Sequence, residues 1–158
     1  MSFHKCFYCE SKLKNIPKEI DHFIEVAERR DLAYQWTNLY LACTNCNDKF
    51  PNKKIPVIDV LDSCKDSDEE IQKHLTFEDE FIFAKDNSEK GLKTIQKFRL
   101  DTELLDRLRL KQLYWFYRLL HEIKEKTKEE QLSLLKAFAQ PDKSYSLLFA
   151  LLLKEIEK

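Results

Sequence analysis

Residues 39–48, LYLACTNCND, decide how this chain is read. A strand-like apolar run ends there on a CxxC pair, Cys43 and Cys46, and a polar tail follows from Asn47. A second pair, Cys6 and Cys9 in CFYC, lies 33 residues upstream. Two such knuckles present four thiolates to one tetrahedral ion at about 2.3 Å and leave no position open for a substrate. The pattern predicts a structural zinc held by Cys6, Cys9, Cys43 and Cys46, with a redox CxxC as the alternative. The fifth thiol, Cys64, is left for packing.

Residues 1 to about 58 carry four of the five cysteines and three of the four prolines, with little helical periodicity. Their apolar content is too small for a large core. Structural zinc contributes roughly 10–16 kcal/mol of apparent binding free energy, enough to replace one. At the strand-to-helix corner, Thr44 is the expected cap of a short helix that finishes near Phe50, before Pro51. Neighbours on a helix are about 100° apart, so while Cys46 faces the metal, Asn47 faces elsewhere.

The chain has 158 residues, of which 43% are hydrophobic and 35% charged, and its net charge is -1. This fits one ordinary domain, or a small module joined to a helical one, and gives no whole-chain electrostatic case for nucleic-acid or membrane binding. The start, MSFHKCFYCESKLK, has no apolar core of the secretory kind, so a reducing, cytoplasmic setting is expected. The most apolar run, SYSLLFALLL, is half the length needed to cross a bilayer. Gly91 is the only glycine. Neither a Walker loop nor a dinucleotide fingerprint can be built, which leaves any nucleotide chemistry to a partner.

Downstream, DSCKDSDEE (62–70) reads as an acidic bridge and LTFEDEFIFA (75–84) as a hairpin with Phe77, Phe81 and Phe83 as its apolar residues. Leu104, Leu108, Tyr114, Tyr117 and Leu120 recur at helical steps and predict one helix over roughly 101–126, capped by Asp101. Helices over 128–139 and 143–157 follow, separated by Pro141. The last is apolar on every face, which places it inside a bundle or against another chain. Residues 85–118 carry nine Lys or Arg against five Asp or Glu, among them Lys93, Lys97, Arg99, Arg107 and Arg109. They read equally as a phosphate-binding track or as a solvated helix face.

Asp21 and His22 in EIDHFI, Asn38 in WTNLYLA and Asn47 in CTNCN, ordered around the two knuckles over about 6–54, resemble the HNH endonucleases. The resemblance is to the ββα-metal class in its four-cysteine zinc variant. It implies metal-dependent hydrolysis of nucleic-acid phosphodiesters, DNA or RNA. His22 would be the general base, Asp21 and Asn47 the ligands of a catalytic Mg²⁺ or Mn²⁺, and the Asn38 amide would tie the connecting loop and so orient His22. In a regular strand Asp21 and His22 point to opposite faces, so the strand has to end or bend there.

Further motifs carry the likeness to about residue 110: CFYCE, DHF, Trp36 in QWTNLYLACTNCN, the FP of KFPNKK, LDSC, and HLTFED leading into KGLKTIQKFRLDTELLDRLR. They are similar to the HNH subunit of Septu-type bacterial antiphage systems, found also beside some retrons. That subunit acts with an ATPase of the ABC type, PtuA. HFIEVAERR stands where the family has a basic residue, proline and lysine, and Lys49 follows CN one position early. Arg29 and Arg30 would supply the phosphate contacts instead. The expected fold class is α+β: a zinc-stapled ββα-metal module over 1–60, then a short hairpin and a helical region over 61–158. From another class, the alternative is a non-catalytic, zinc-stabilised subunit that binds nucleic acid or the ATPase.

Overall fold

The computed structural model describes residues 3–15 and 17–157. The cysteine-bearing module is built on two antiparallel strands, β1 (Lys18–His22) and β2 (Leu39–Cys43), paired from Lys18↔Cys43 to His22↔Leu39. On β2 the buried Tyr40 and Ala42 alternate with the half-buried Leu39 and Leu41, the period-2 pattern of a strand with one face covered. The first knuckle folds back on itself, with Glu10 N–H donating to Cys6 O at 3.0 Å, and docks on β2 through Phe7 N–H and Leu41 O at 2.9 Å. A single turn of helix, α1 (Thr44–Asn47), completes the ββα unit. Its cap is Cys43, whose sulfur accepts from Cys46 N–H, so Thr44 is the first helical residue instead of the expected cap.

The acidic bridge is a turn over most of its length, and only its last three residues are helical, opening α2 (Asp68–His74). Ser67 accepts from Glu70 N–H, three acidic residues occupy the first turn, and Lys73 and His74 lie in the last, which suits the helix dipole at both ends. The hairpin follows as β3 (Leu75–Glu78) and β4 (Phe81–Ala84), with Asp79 at φ 51° in the turn. Its register, Leu75↔Ala84 and Phe77↔Ile82, buries Leu75 and Ile82, half-buries Phe77, and leaves Phe81 and Phe83 on the exposed face. Two of the hairpin's three phenylalanines therefore point outward. Next comes α3 (Glu89–Phe98), where a Cβ on Gly91 would lie 2.2 Å from His74 O. The lone glycine stands where α3 touches the main chain that joins α2 to β3.

The long helix α4 (Glu103–Glu122) starts after Thr102 and is rotated from its expected phase. Leu105, Arg109, Leu113 and Phe116 are buried, whereas Leu104 and Tyr114 are 56% and 59% exposed and Leu108 and Tyr117 are exposed too. Two stripes of similar apolarity compete in this sequence, and the buried one contains an arginine. Arg109 is accommodated because it donates to Asp106 at 2.8 Å, to Glu80 O at 2.7 Å and to Leu100 O. α5 (Lys128–Leu135) opens on a capping box made by Thr127 and Glu130, and α6 (Ser146–Glu157) closes the chain.

Two hydrophobic clusters result. One runs from Cys6 to Leu105 and merges the cysteine module with the hairpin and α3; the other joins α4, α5 and α6 around Phe116, Leu135 and Phe149. Phe77 packs against both. The apolar faces of α6 are spent in the second cluster. Its N-terminus rests on the first knuckle, where Glu10 accepts from Leu147 N–H at 3.0 Å and from the Ser146 hydroxyl at 2.5 Å. Among the described residues no helix is long and apolar enough to cross a membrane.

The proposed phosphate track does not survive folding. Lys93 pairs with Asp59 and Glu89, Arg99 with Asp48, and Arg107 with Glu103, while Lys97 and Arg109 are interior. Lys97 is 0% exposed and donates to Phe50 O, Asn52 Oδ1 and Ile55 O at 2.9, 2.8 and 2.7 Å. Asn52 in turn binds Glu25 and Glu28, so this one ammonium ties the segment after α1 to the loop after His22. Lys97→Met would strand three acceptors and is expected to cost about 2–4 kcal/mol in chemical denaturation. Burial, with the Lys49 charge acting in the same direction, pushes the Lys97 ammonium from its ordinary 10.5 down to about 8. Between those two values the unfolded chain binds more protons at this position than the folded one, so Lys97 makes stability rise with pH across that window. The rise should vanish in Lys97→Met.

Candidate active site

The four thiols meet as the spacing predicts. Cys6, Cys9, Cys43 and Cys46 are all buried, and their sulfurs lie within 4.8 Å of one another. A tetrahedron of sulfurs at zinc–thiolate bond length has edges of about 3.8 Å, and Cys9 Sγ and Cys43 Sγ are 3.8 Å apart. Hydrogen bonds, that from Cys46 foremost, hold the Cys43 thiol far below its usual range. The cluster can hold one metal ion such as zinc. Cys64 stands apart: it is exposed, and its N–H donates to Asp62 Oδ1 at 3.0 Å.

Asp21 lies in β1 opposite Tyr40 and is buried. Its Oδ2 accepts from the Tyr8 hydroxyl at 2.5 Å and from Lys49 Nζ at 2.6 Å. Burial, followed by the Asp21 charge, pushes the Tyr8 phenol far above its usual range, which keeps it a donor. Its ring stacks on Phe98 at 4.1 Å between centroids, so the hydroxyl has a fixed origin. No hydrogen bond reaches Asp21 Oδ1 among the described residues.

His22 closes β1. The ladder stays regular through His22↔Leu39, so Asp21 and His22 leave the strand on opposite faces, at its last two positions. The imidazole is half-buried, with Nε2 2.9 Å from Ala33 O. A carbonyl can only accept, so Nε2 carries the proton and the lone pair of the neutral ring sits on Nδ1. Asn38 is buried in the loop beneath. Its Oδ1 accepts from Ile24 N–H at 2.7 Å, and its Nδ2 donates to Ile24 O at 2.9 Å and to Leu32 O at 3.4 Å. This amide binds the segment after His22 to the segment that supplies Ala33.

Asn47, on α1, donates its amide to the Glu19 carboxylate. Glu19 and Asp21 are alternate residues of β1, so Asn47 stands on the Asp21 side of the strand. The structure thus gathers Asp21 and Asn47 on one side of the strand end and puts His22 and Asn38 on the other; Lys49 touches both Asp21 and the His22 carbonyl. The side chains of Asp21, His22 and Asn47 make no hydrogen bond to one another. Three participants were not legible beforehand: Tyr8, Glu19 and the cationic partner of Asp21. Glu19 had a signal, its i−2 spacing from Asp21, and Lys49 had one as the lysine that follows CN, although not for its contact with Asp21. Arg29 pairs with Asp31 at 2.6 Å, and Arg30 is exposed beside it.

Residues 6–53, which contain the ββα unit closed by four cysteines with Asp-His at the strand end, match the family model for HNH endonuclease. That stretch contains all four clustered cysteines and Asp21, His22, Asn38 and Asn47. Among curated proteins, the Septu protein PtuB of Bacillus thuringiensis is 38% identical over 63 residues, covering 37% of this chain and 24% of that protein. The chain spans about a quarter of the length of the relative it matches.

Proposed function

We propose that the chain is a metal-dependent endonuclease that hydrolyses nucleic-acid phosphodiester bonds, acting as the nuclease of an antiphage defence complex beside an ABC-type, PtuA-like ATPase. Zinc fills the cysteine cluster as a fastener. The observation that carries the reading is the 2.9 Å contact between His22 Nε2 and Ala33 O: a carbonyl only accepts, so Nε2 donates and Nδ1 is left as a proton acceptor at the strand end. There it takes the proton of an attacking water. Asp21 and Asn47 offer only oxygen donors, the set that suits a hard divalent ion. Such an ion, Mg²⁺ or Mn²⁺, supplies positive charge for the negative charge that develops on the phosphate. Asn38 keeps the loop, and with it the imidazole, in place.

Partnership is supported by the exposed stripe of α4, Leu104, Leu108, Tyr114 and Trp115, which a lone chain leaves in water. One observation favours the second reading, a non-catalytic binding subunit: the Asp21 carboxylate is already paired with Lys49. The two readings separate on cleavage of mixed DNA and RNA with Mg²⁺ or Mn²⁺, alone and with the co-purified partner. An endonuclease cuts in an ion-dependent manner and stops in EDTA. A binding subunit cuts nothing under any of these conditions.

A further inference from the structure

Lys49 is the most confined cation of the candidate site. Its side chain is 6% exposed and that of Asp21 9%, with Nζ 2.6 Å from Oδ2. The same ammonium donates to His22 O at 2.6 Å and to Phe23 O at 3.5 Å. It is thus lodged against the end of β1, where the two residues assigned to chemistry are adjacent. Among the described residues Asp21 is the only carboxylate it meets, and Lys49 the only cation that Asp21 meets. A buried carboxylate requires a counter-charge, and here the chain supplies one of its own.

We propose that Lys49 is a resident counter-ion that competes with the divalent metal for Asp21. The inference rests on the reading of Asp21 as a metal ligand. An ammonium on Oδ2 repels a divalent cation that takes Oδ1 of the same small, buried carboxylate. Metal loading therefore drives the Lys49 ammonium off Oδ2 toward solvent, while Tyr8 keeps hold of the carboxylate. Lys49 is a positioning residue in this scheme: it holds the Asp21 carboxylate in place in the metal-free protein and sets a threshold for loading.

Two measurements on the zinc-loaded full chain test this. Mn²⁺ titration followed by calorimetry should show Lys49→Met binding tighter than wild type by about tenfold or more, because the competitor is gone. Unchanged or weaker binding overturns the proposal. Should Lys49→Met fail to fold, the wild-type chain suffices: acetylation of Lys49, read by mass spectrometry, should accelerate about tenfold in saturating Mg²⁺ as the buried ammonium is expelled. A rate indifferent to Mg²⁺ overturns the proposal. Asp21→Asn separates the two levels of argument. If it abolishes Mn²⁺ binding while Lys49→Met does not tighten it, the counter-ion fails and the metal-ligand reading stands. If Mn²⁺ binds Asp21→Asn as it binds wild type, both fail.

Discussion

Cys43→Ser is expected to release the metal and unfold the first hydrophobic cluster, the largest stability effect available from a single substitution in this chain. Cys43 serves twice, as one of four clustered sulfurs and as the cap whose Sγ receives Cys46 N–H. Removing one thiolate forfeits much of a binding free energy of roughly 10–16 kcal/mol, more than most domains have as total stability. The loss will not stay local, because the cluster that contains the cysteines runs on to Leu105 and the first knuckle anchors α6 through Glu10. Elemental analysis should find zinc at one equivalent in wild type and near zero in the variant, with the cooperative thermal transition lost. A variant that retains its transition without zinc would show that the core suffices alone.

His22→Ala should do the reverse. The imidazole contributes one hydrogen bond, to Ala33 O, from a half-buried position, so stability should fall by no more than about 1 kcal/mol. Loss of a general base lowers turnover by roughly 10²–10⁴-fold. Zinc content should match wild type and the melting temperature should fall by no more than about 2–4 °C, while ion-dependent cleavage disappears. Unfolding of His22→Ala would assign the ring to the scaffold, and cleavage at the wild-type rate would take it out of the chemistry altogether.

The cysteine spacing made the first module legible because two CxxC pairs leave few ways to close a tetrahedral shell. The antiparallel pair and the corner at Cys43 follow from that closure. Harder to read was helix phase. Leu104 and Leu105 open two stripes of similar apolarity on α4, and only the tertiary partners of Arg109, the carbonyls of Glu80 and Leu100, decide which one is buried. Hairpin register hides in the same way, since LTFEDEFIFA offers apolar residues to both faces and a one-residue choice exposes Phe81 and Phe83. Helix α2 did carry a signal, Ser67 followed by three acids and then Lys73 and His74, that the density of charge obscured. At the site, the residue types around Asp21, His22, Asn38 and Asn47 were readable. The contacts of the Tyr8 hydroxyl and the Lys49 ammonium with Asp21 were not, because both reach it only through the folded cluster. Basic residues misled for the same reason: Lys97 and Arg109 serve carbonyls in the interior instead of a phosphate chain.

The central claim is that a strand end beside a thiolate-clamped helix turn forms one metal-binding, proton-accepting centre. Anomalous diffraction from crystals soaked in Mn²⁺ tests it most directly. The account predicts two ions: zinc among Cys6, Cys9, Cys43 and Cys46, and manganese bonded to an Asp21 carboxylate oxygen and the Asn47 carboxamide oxygen at the end of β1. Manganese absent from Asp21 at saturating concentration, with Lys49 still seated on that carboxylate, would contradict it.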